Sequence, residues 1–454
     1  LYRRWRRIYL WFWNDIMPIQ QMFLGLGAAV ENYWFARIGG ANDDEGRGVT
    51  FDSNGNVYMV GDIEEVGGSN NRDDAQIVKY DKDGSIQWQR RIKSGAFDND
   101  IFAGVAVDSS DNVYAAGKVD NAGISVLAKY NSSGTIQWQR KLHDGSNFSR
   151  FDAISIDSSD NIYVAGSGPV DVGTRDALLA KYNASGTLQW QRGLGKSSKY
   201  SSFTGIDIDS SGNIYVSGAD GDNAIIAKYN SSGTLQWHKS IADNAYTISS
   251  SRDIALDSSG NIYGVGFTNI PNVANTMFCF KLNSSGAMQW SRLVDHVANR
   301  NEEAFGIFVN GDDDIFIVGE SYMLDASNLN GIIVKFNSSG TLQYTRTFVN
   351  SDDDETTRFL KGHSDGNGNM LITGRTETGA VGQTDMLVLK LPDDGSLTGT
   401  YSTLEYASAS KTTTTENFTS SNGGMTGTTP SLTSSTSTFT EEASSHTNTT
   451  TSIS

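Results

Sequence analysis

The sequence predicts an all-β fold, a β-propeller built as a ring of four-stranded antiparallel blades. Two observations predict it. A segment of about fifty residues recurs seven times, each copy a variation on DSSGNIYVAG, a short variable stretch and AKYNSSGTLQWQR, and self-similarity at that period marks rings and solenoids. Inside each copy the apolar residues alternate with the period of a strand, as in Asn161–Gly166, Ala177–Tyr182 and Thr187–Trp190, between clusters of Gly, Ser, Asn and Asp. A fourth run precedes each turn Asp, as in Ala153–Ile156 and Gly205–Ile208. Four short strands per unit is the content of a propeller blade.

Taken in order, residues 1–16 stand apart. Leu1–Trp13 is basic and aromatic, but its apolar run stops at Asn14-Asp15 and carries no small-residue cleavage site, so it reads neither as a signal peptide nor as a membrane span. One reading takes Met17 as the native start and the upstream stretch as over-extended sequence. Met17–Ala29 then forms an N-terminal arm, with residues 1–32 outside the repeats. The large aromatic of the repeat falls at Trp34, Trp88, Trp138, Trp190, Trp237, Trp290 and Tyr344, intervals of 47 to 54 residues. A flat side chain at one fixed strand position is expected to pack between neighbouring blades. Lys79, Lys129, Lys181, Lys228, Lys281, Lys335 and Lys390 recur likewise, and an inter-blade or surface contact is expected of them.

Two hairpin turns hardly vary. Asn-Ser-Ser-Gly at 131–134, 230–233, 283–286 and 337–340 ends in a glycine suited to a left-handed turn position, and Gly84, Gly186 and Gly395 fill that place elsewhere. The other turn begins at Asp52, Asp108, Asp157, Asp209, Asp257 and Asp365, with Asn310 in the sixth copy, residue types that hydrogen-bond nearby backbone. Beyond about residue 405, Ser and Thr dominate with few large apolar residues, so 406–454 is expected to be a low-complexity tail without a core of its own. Disorder, and β structure formed only between associating chains, both fit that composition.

These repeats resemble the bacterial and viral β-propeller repeats known as SBBP repeats, over roughly residues 33–405. The resemblance implies seven blades from seven full copies. It also implies closure of the ring by the extra Trp34 segment, Asn32–Gly40, which resembles an outer strand lacking the rest of its blade and would pair with the strands at 358–391. The final copy, Gly395–Thr400, has lost its Trp, as expected of a strand displaced by the N-terminal one. Met17–Ala29 is similar to the short leader of tail-associated virion proteins of marine phages. That resemblance implies a virion or extracellular location, with other tail proteins and a host surface glycan or protein as partners.

Composition narrows the partners further. A net charge of −17 and a pI near 4.7 disfavour nucleic acid and anionic membranes, since a phosphate backbone needs a basic footprint. Cys279 is the one cysteine, which excludes an internal disulfide framework and Cys-based zinc sites. His143, His238, His296, His363 and His446 show no metal-ligand spacing, and no nucleophile elbow or phosphate-binding glycine loop is present.

Function is expected where the copies differ, on the loops joining second to third strand and outer strand to next blade. The ligand-binding candidates there are Asp43, Asp44, Glu45, Asp98, Asp100, Glu302, Glu303, Asp352, Asp353 and Asp354, with the long insert Tyr322–Asn330 beside them. Asp352–Asp354 could also donate oxygens to Ca²⁺, the one cofactor the sequence suggests. The expected function is a non-enzymatic binding or structural module on a phage tail that contacts the host surface. A secreted or surface-displayed bacterial interaction module is the alternative, and a propeller glycosidase or lyase with paired carboxylates is a third.

Overall fold

A computed structural model gives the architecture. It describes residues 33–397, apart from 40–41, 65–72, 95–98, 120–122, 144–147, 170–174, 196–198, 222, 243–246, 270–274, 296–300, 323–328, 351–355 and 378–383, and the backbone of short strands between 399 and 453. Seven four-stranded antiparallel blades form a closed ring. Their innermost strands are Asp44–Phe51, Ile101–Val107, Arg150–Ile156, Ser202–Ile208, Thr247–Leu256, Glu302–Val309 and Thr357–Ser364, for blades 1 to 7. The expected closure is present. The N-terminal strand Tyr33–Gly39 is the outer strand of blade 7 and pairs antiparallel with Thr384–Pro392, from Trp34 opposite Lys390 to Ile38 opposite Met386.

Each junction between neighbouring blades holds one buried apolar cluster. Between blades 3 and 4, for example, Tyr163, Leu179 and Leu194 pack on Phe203, Val216 and Ile225. A blade is a single sheet with two apolar faces, so it buries them only against its neighbours. That is why the repeat must close.

The recurring aromatic and lysine residues secure these junctions. Trp138 Nε1 and Lys129 Nζ of blade 2 both donate to the Ala184 carbonyl in the Asn-Ala-Ser-Gly turn of blade 3, at 3.3 and 3.5 Å. Trp88 and Lys79 share the Ser132 carbonyl in the same way, and Trp290 and Lys281 share that of Ser338. Trp34 donates to the Lys82 carbonyl at 3.0 Å, so the closing strand reproduces the clasp. The turn glycine is required twice over. Gly134 has φ +77°, and a Cβ there would lie 2.6 Å from the Trp88 ring.

The Ser/Thr-rich tail forms β structure within this one chain. Strands Leu404–Ser408, Thr412–Thr415, Thr419–Ser421, Thr426–Thr428, Thr433–Thr436, Thr440–Ala443 and Thr447–Ile453 add one antiparallel strand each to the outer edges of blades 6, 5, 4, 3, 2, 1 and 7. The tail thus runs around the ring against the order of the blades. The boundary expected at 405/406 falls inside the first of these strands. Pairing with an outer edge already fixed by the propeller needs no core of the tail's own, so low hydrophobicity does not prevent it.

Candidate functional site

The innermost strand of every blade carries a β-bulge near the variable face. The extra residues are Arg47, Ala103, Asp152, Thr204, Arg252, Phe305 and Leu360. A bulge bends its strand and re-aims the side chains around it. The closing glycine of each YVAG-like run belongs to this device. At Gly166 a Cβ would lie 2.0 Å from the Arg150 carbonyl, and the matching glycines of the other blades face the equivalent carbonyl just as closely. The repeat signature therefore fixes the backbone of the bulge while leaving its side chains free to vary.

The bulges and their neighbours form a charged mouth above a channel of about 390 Å³ lined by the innermost strands. On blades 6, 7 and 1 the mouth arginines are paired with carboxylates. Arg358 forms a bidentate pair with Glu320, its Nη2 at 3.0 Å from Oε1. Arg47 contacts Asp62 and lies 2.6 Å from Glu45, whose other oxygen is 3.5 Å from Arg375. Burial opposes the Arg47 charge, but the Asp62 and Glu45 carboxylates outweigh it and raise its pKa.

On blades 2, 3 and 5 positive charge is in excess. Arg150 pairs with Asp152 at 2.9 Å and stays 40% exposed. Lys118, Arg175 and Arg252 have no ion-pair partner among the described residues, and all three have lowered pKa values. Burial is the first cause in each case, and repulsion from Arg150 contributes in each case. Arg252 Nε is buried without a hydrogen-bond partner. The Arg175 guanidinium lies 3.8 Å from the centre of the Phe148 ring and 5.7 Å from that of Tyr200. Tyr200 is 73% exposed, the one exposed large hydrophobic side chain among the described residues. Crowded, partly desolvated cations beside an open aromatic ring suit an anionic ligand with a flat apolar face.

The acidic residues singled out from the sequence divide between the mouth, where Glu45 lies and Glu303 acts on Arg252, and the loops around it. Asp44, Asp100 and Glu302 are buried at one aligned position, which opens the inner strand in blades 1 and 6 and immediately precedes it in blade 2, and where other blades place Ser149, Ser201 and Thr357. Asp44 Oδ1 accepts the Glu64 N–H, Asp100 accepts the Ser94 hydroxyl, and Glu302 accepts that of Ser321. Asp43 accepts the Thr384 N–H at 2.9 Å, binding blade 1 to blade 7. Glu45 is held by Arg47 and Arg375, and Glu303 accepts from Asn275 Nδ2 at 2.6 Å. These carboxylates serve the loop architecture, and the structure does not gather them into one site. Asp98, Asp352, Asp353, Asp354 and most of the insert Tyr322–Asn330 lie outside the described residues, as does the arm 1–32. No group of three or more His, Cys, Asp or Glu side chains that could hold a metal occurs among the described residues.

Sequence reasoning passed over Lys118, Arg150, Arg175, Arg252 and Tyr200. A signal for part of this set was present. Asp44, Asp100, Ser149, Ser201, Glu302 and Thr357, all small or acidic and buried, occupy one aligned position, whereas the next position runs Glu45, Ile101, Arg150, Ser202, Ser250, Glu303, Arg358. The second position keeps no common chemistry and is the freer to specialise.

Comparison with known proteins gives remote structural likenesses and one family match. Among solved structures, a polysaccharide lyase has a TM-score of 0.46 at 10% identity, covering 77% of this chain and 90% of the lyase. A protein of unknown function from Dyadobacter fermentans has a TM-score of 0.44 at 10% identity, over 79% of this chain and 98% of that one. A tail fibre of a Staphylococcus aureus phage has a TM-score of 0.26 at 13% identity, over 53% of this chain and 49% of the fibre. No curated protein matches. The family model of the SBBP β-propeller repeat matches residues 34–64, a stretch that starts in the outer strand of blade 7 and ends in the second strand of blade 1. The sequence repeat thus straddles a blade junction, and the chain is a seven-bladed β-propeller carrying an SBBP-type repeat.

Proposed function

We propose that this propeller is a binding module that takes an acidic surface polymer, a glycan bearing carboxylate groups, at the mouth of its channel. The observation that carries the reading is the cluster of Lys118, Arg150, Arg175 and Arg252 in a chain of net charge −17, with Tyr200 exposed beside Arg175. A cation whose pKa is lowered partly by its neighbours gains when an anion enters, and a ring face gives a sugar a platform. The surrounding negative charge repels a polyanion elsewhere, which favours one mode of docking.

The setting that fits the likeness of Met17–Ala29 to phage tail leaders is a tail-associated virion protein contacting a host surface. A secreted or surface-displayed bacterial module would use the same mouth. The test is binding of the purified chain to immobilised polygalacturonate and to neutral dextran. Binding to the acidic polymer that weakens with salt and is lost in a Lys118→Ala/Arg175→Ala variant supports the reading. Equal binding to dextran, or binding indifferent to those substitutions, would overturn it.

A further inference from the structure

The face opposite the mouth carries a set of contacts between blades whose pattern is visible when the seven junctions are compared. At three of them a serine at the start of one blade's first turn holds a carboxylate from the next blade. Ser53 donates its N–H and hydroxyl to Asp111 at 3.0 and 2.9 Å. Ser109 does the same to Asp160 at 2.9 and 2.7 Å, and Ser258 to Asp313 at 2.9 and 2.8 Å. These three aspartates are the only non-glycine residues with positive φ among the described residues, at 59° to 61°. The same turn position is left-handed as Gly55, Gly212 and Gly260 in other blades, and aspartate is one of the few side chains that tolerates it.

Blades 3 and 4 present the same serine, Ser158 and Ser210, in the same Asp-Ser-Ser turn. The facing positions on blades 4 and 5 are Gly212 and Gly260, which bring no carboxylate. Space remains where it would sit. A Cβ at Gly212 would meet only the Ser231 Cβ, at 3.7 Å, and one at Gly260 would meet nothing within 4 Å. Between blades 3 and 4 a cleft of about 600 Å³ opens, lined by Ser158, Lys181, Ser210 and Gly212 together with the turn carboxylates Asp157 and Asp209, the counterparts of the Asp52, Asp108 and Asp257 that flank the filled cradles.

The lysines vary in step with the cradles. In blades 1, 2 and 5, where the cradle is filled, Lys79, Lys129 and Lys281 pair with the turn carboxylates Asp52, Asp108 and Asp257 at 3.2, 3.2 and 3.5 Å. In blades 3 and 4, Lys181 and Lys228 have no ion-pair partner among the described residues. Each keeps its place over the ring of Tyr163 or Tyr215, and Lys181 also donates to the Ser231 carbonyl. Two adjacent junctions thus combine an unoccupied N–H and hydroxyl pair with an ammonium that forms no ion pair among the described residues.

We infer that the junctions of blades 3/4 and 4/5 are docking sites for carboxylates of a partner protein, presented as aspartates on exposed turns. The chain itself displays that ligand three times, in Asp111, Asp160 and Asp313. Charge-assisted hydrogen bonds from the N–H and hydroxyl give the contact its strength, as in the filled cradles, and the nearby ammonium adds attraction at longer range.

The probe is a cyclised peptide bearing the turn Asp108–Asn112, tethered to a sensor and titrated with the full chain. Saturable binding is expected, falling by about tenfold or more when the peptide residue Asp111 is replaced by Asn. The same loss is expected in a Gly212→Asp/Gly260→Asp protein, whose new side chains occupy the cradles at a position where blades 2, 3 and 6 already accept Asp. Ser158→Ala/Ser210→Ala should lose binding without adding any group. Lys118→Ala/Arg175→Ala at the channel mouth should leave peptide binding intact, which separates this inference from the glycan reading. Absence of saturable binding, binding that survives both cradle variants, or binding of free galacturonate in place of the peptide would overturn it.

Discussion

Lys361 Nζ lies 2.7 Å from Asp253 Oδ1, an ion pair that reaches from blade 7 to blade 5 across the channel. The other Asp253 oxygen accepts the Ile307 N–H of blade 6 at 3.1 Å, so one carboxylate ties three blades together. Lys361 is thereby neutralised, and the excess charge at the mouth belongs to blades 2, 3 and 5. Lys361→Met should destabilise the ring by about 1–3 kcal/mol, because a largely buried carboxylate is left short of a partner. Adding Asp253→Asn should recover part of the loss. Thermal midpoints of the two single variants and the double variant check this, and additive effects would show that the pair is not coupled.

The clasp between blades makes a sharper demand. Gly134→Ala combines an unfavourable left-handed backbone with a collision against Trp88, and should cost about 1–3 kcal/mol or more. Gly366→Ala is the control. It has a similar φ of +69° but no atom within 4 Å of the added methyl, so it should cost only the backbone part. Equal losses in the two variants would mean that the Trp88 contact contributes nothing.

The first-turn aspartates make part of the stability dependent on pH. Burial raises the Asp108 pKa, but hydrogen bonds from Asn112 and Tyr114 and the charge of Lys129 outweigh it, leaving the value below the usual carboxylate range. Asp52, Asp157, Asp209 and Asp257 are shifted in the same direction. A carboxylate with a lowered folded pKa contributes stability that is present above its unfolded pKa and is lost as pH falls through the folded one. Asp108→Asn should therefore lower stability at pH 7 by about 1–3 kcal/mol and make little difference near pH 2. Asp207 acts oppositely. Burial, with the charges of Asp253 and Asp209, lifts it to about 6, so its contribution declines as pH rises from its unfolded value through about 6. Denaturation midpoints followed from pH 2 to 8 measure both effects.

Ending the chain after residue 397 removes the tail strands and leaves seven four-stranded blades, already closed by Tyr33–Gly39. The shortened protein should keep its β spectrum and begin to self-associate, since seven outer edges lose their partners. Sedimentation velocity and circular dichroism report the two outcomes separately. Loss of the β spectrum would show that the tail is needed for folding.

The parts legible in the sequence are those the fold repeats. Trp88, Trp138 and Trp190 stand at one position because each meets the same turn of the next blade, and Gly84, Gly134 and Gly186 stand at another because that turn needs a left-handed residue against an indole. Constraint at every copy leaves a periodic trace. The mouth leaves none, because Lys118, Arg150, Arg175 and Arg252 come from three blades and from non-equivalent strand positions, brought together only by the curvature of the ring. Acidic loop residues were the conspicuous candidates, yet Asp44 and Asp100 are there to accept hydrogen bonds from their own loops. Pairing of the tail was passed over although it left a trace: Phe418, Met425, Leu432 and Phe439, each followed by Thr, recur every seven residues, the interval between the strands beginning at Thr412, Thr419, Thr426, Thr433, Thr440 and Thr447.

The most direct test of the central claim is a hydrogen-exchange footprint of the full chain with and without a saturating acidic oligosaccharide such as oligogalacturonate. Protection is expected at the variable-face ends of blades 2, 3 and 5, around Lys118, Arg150–Asp152, Arg175, Tyr200 and Arg252. Protection confined to the Asp-Ser-Ser-Gly and Asn-Ser-Ser-Gly turns of the opposite face, or none at all, would contradict the account.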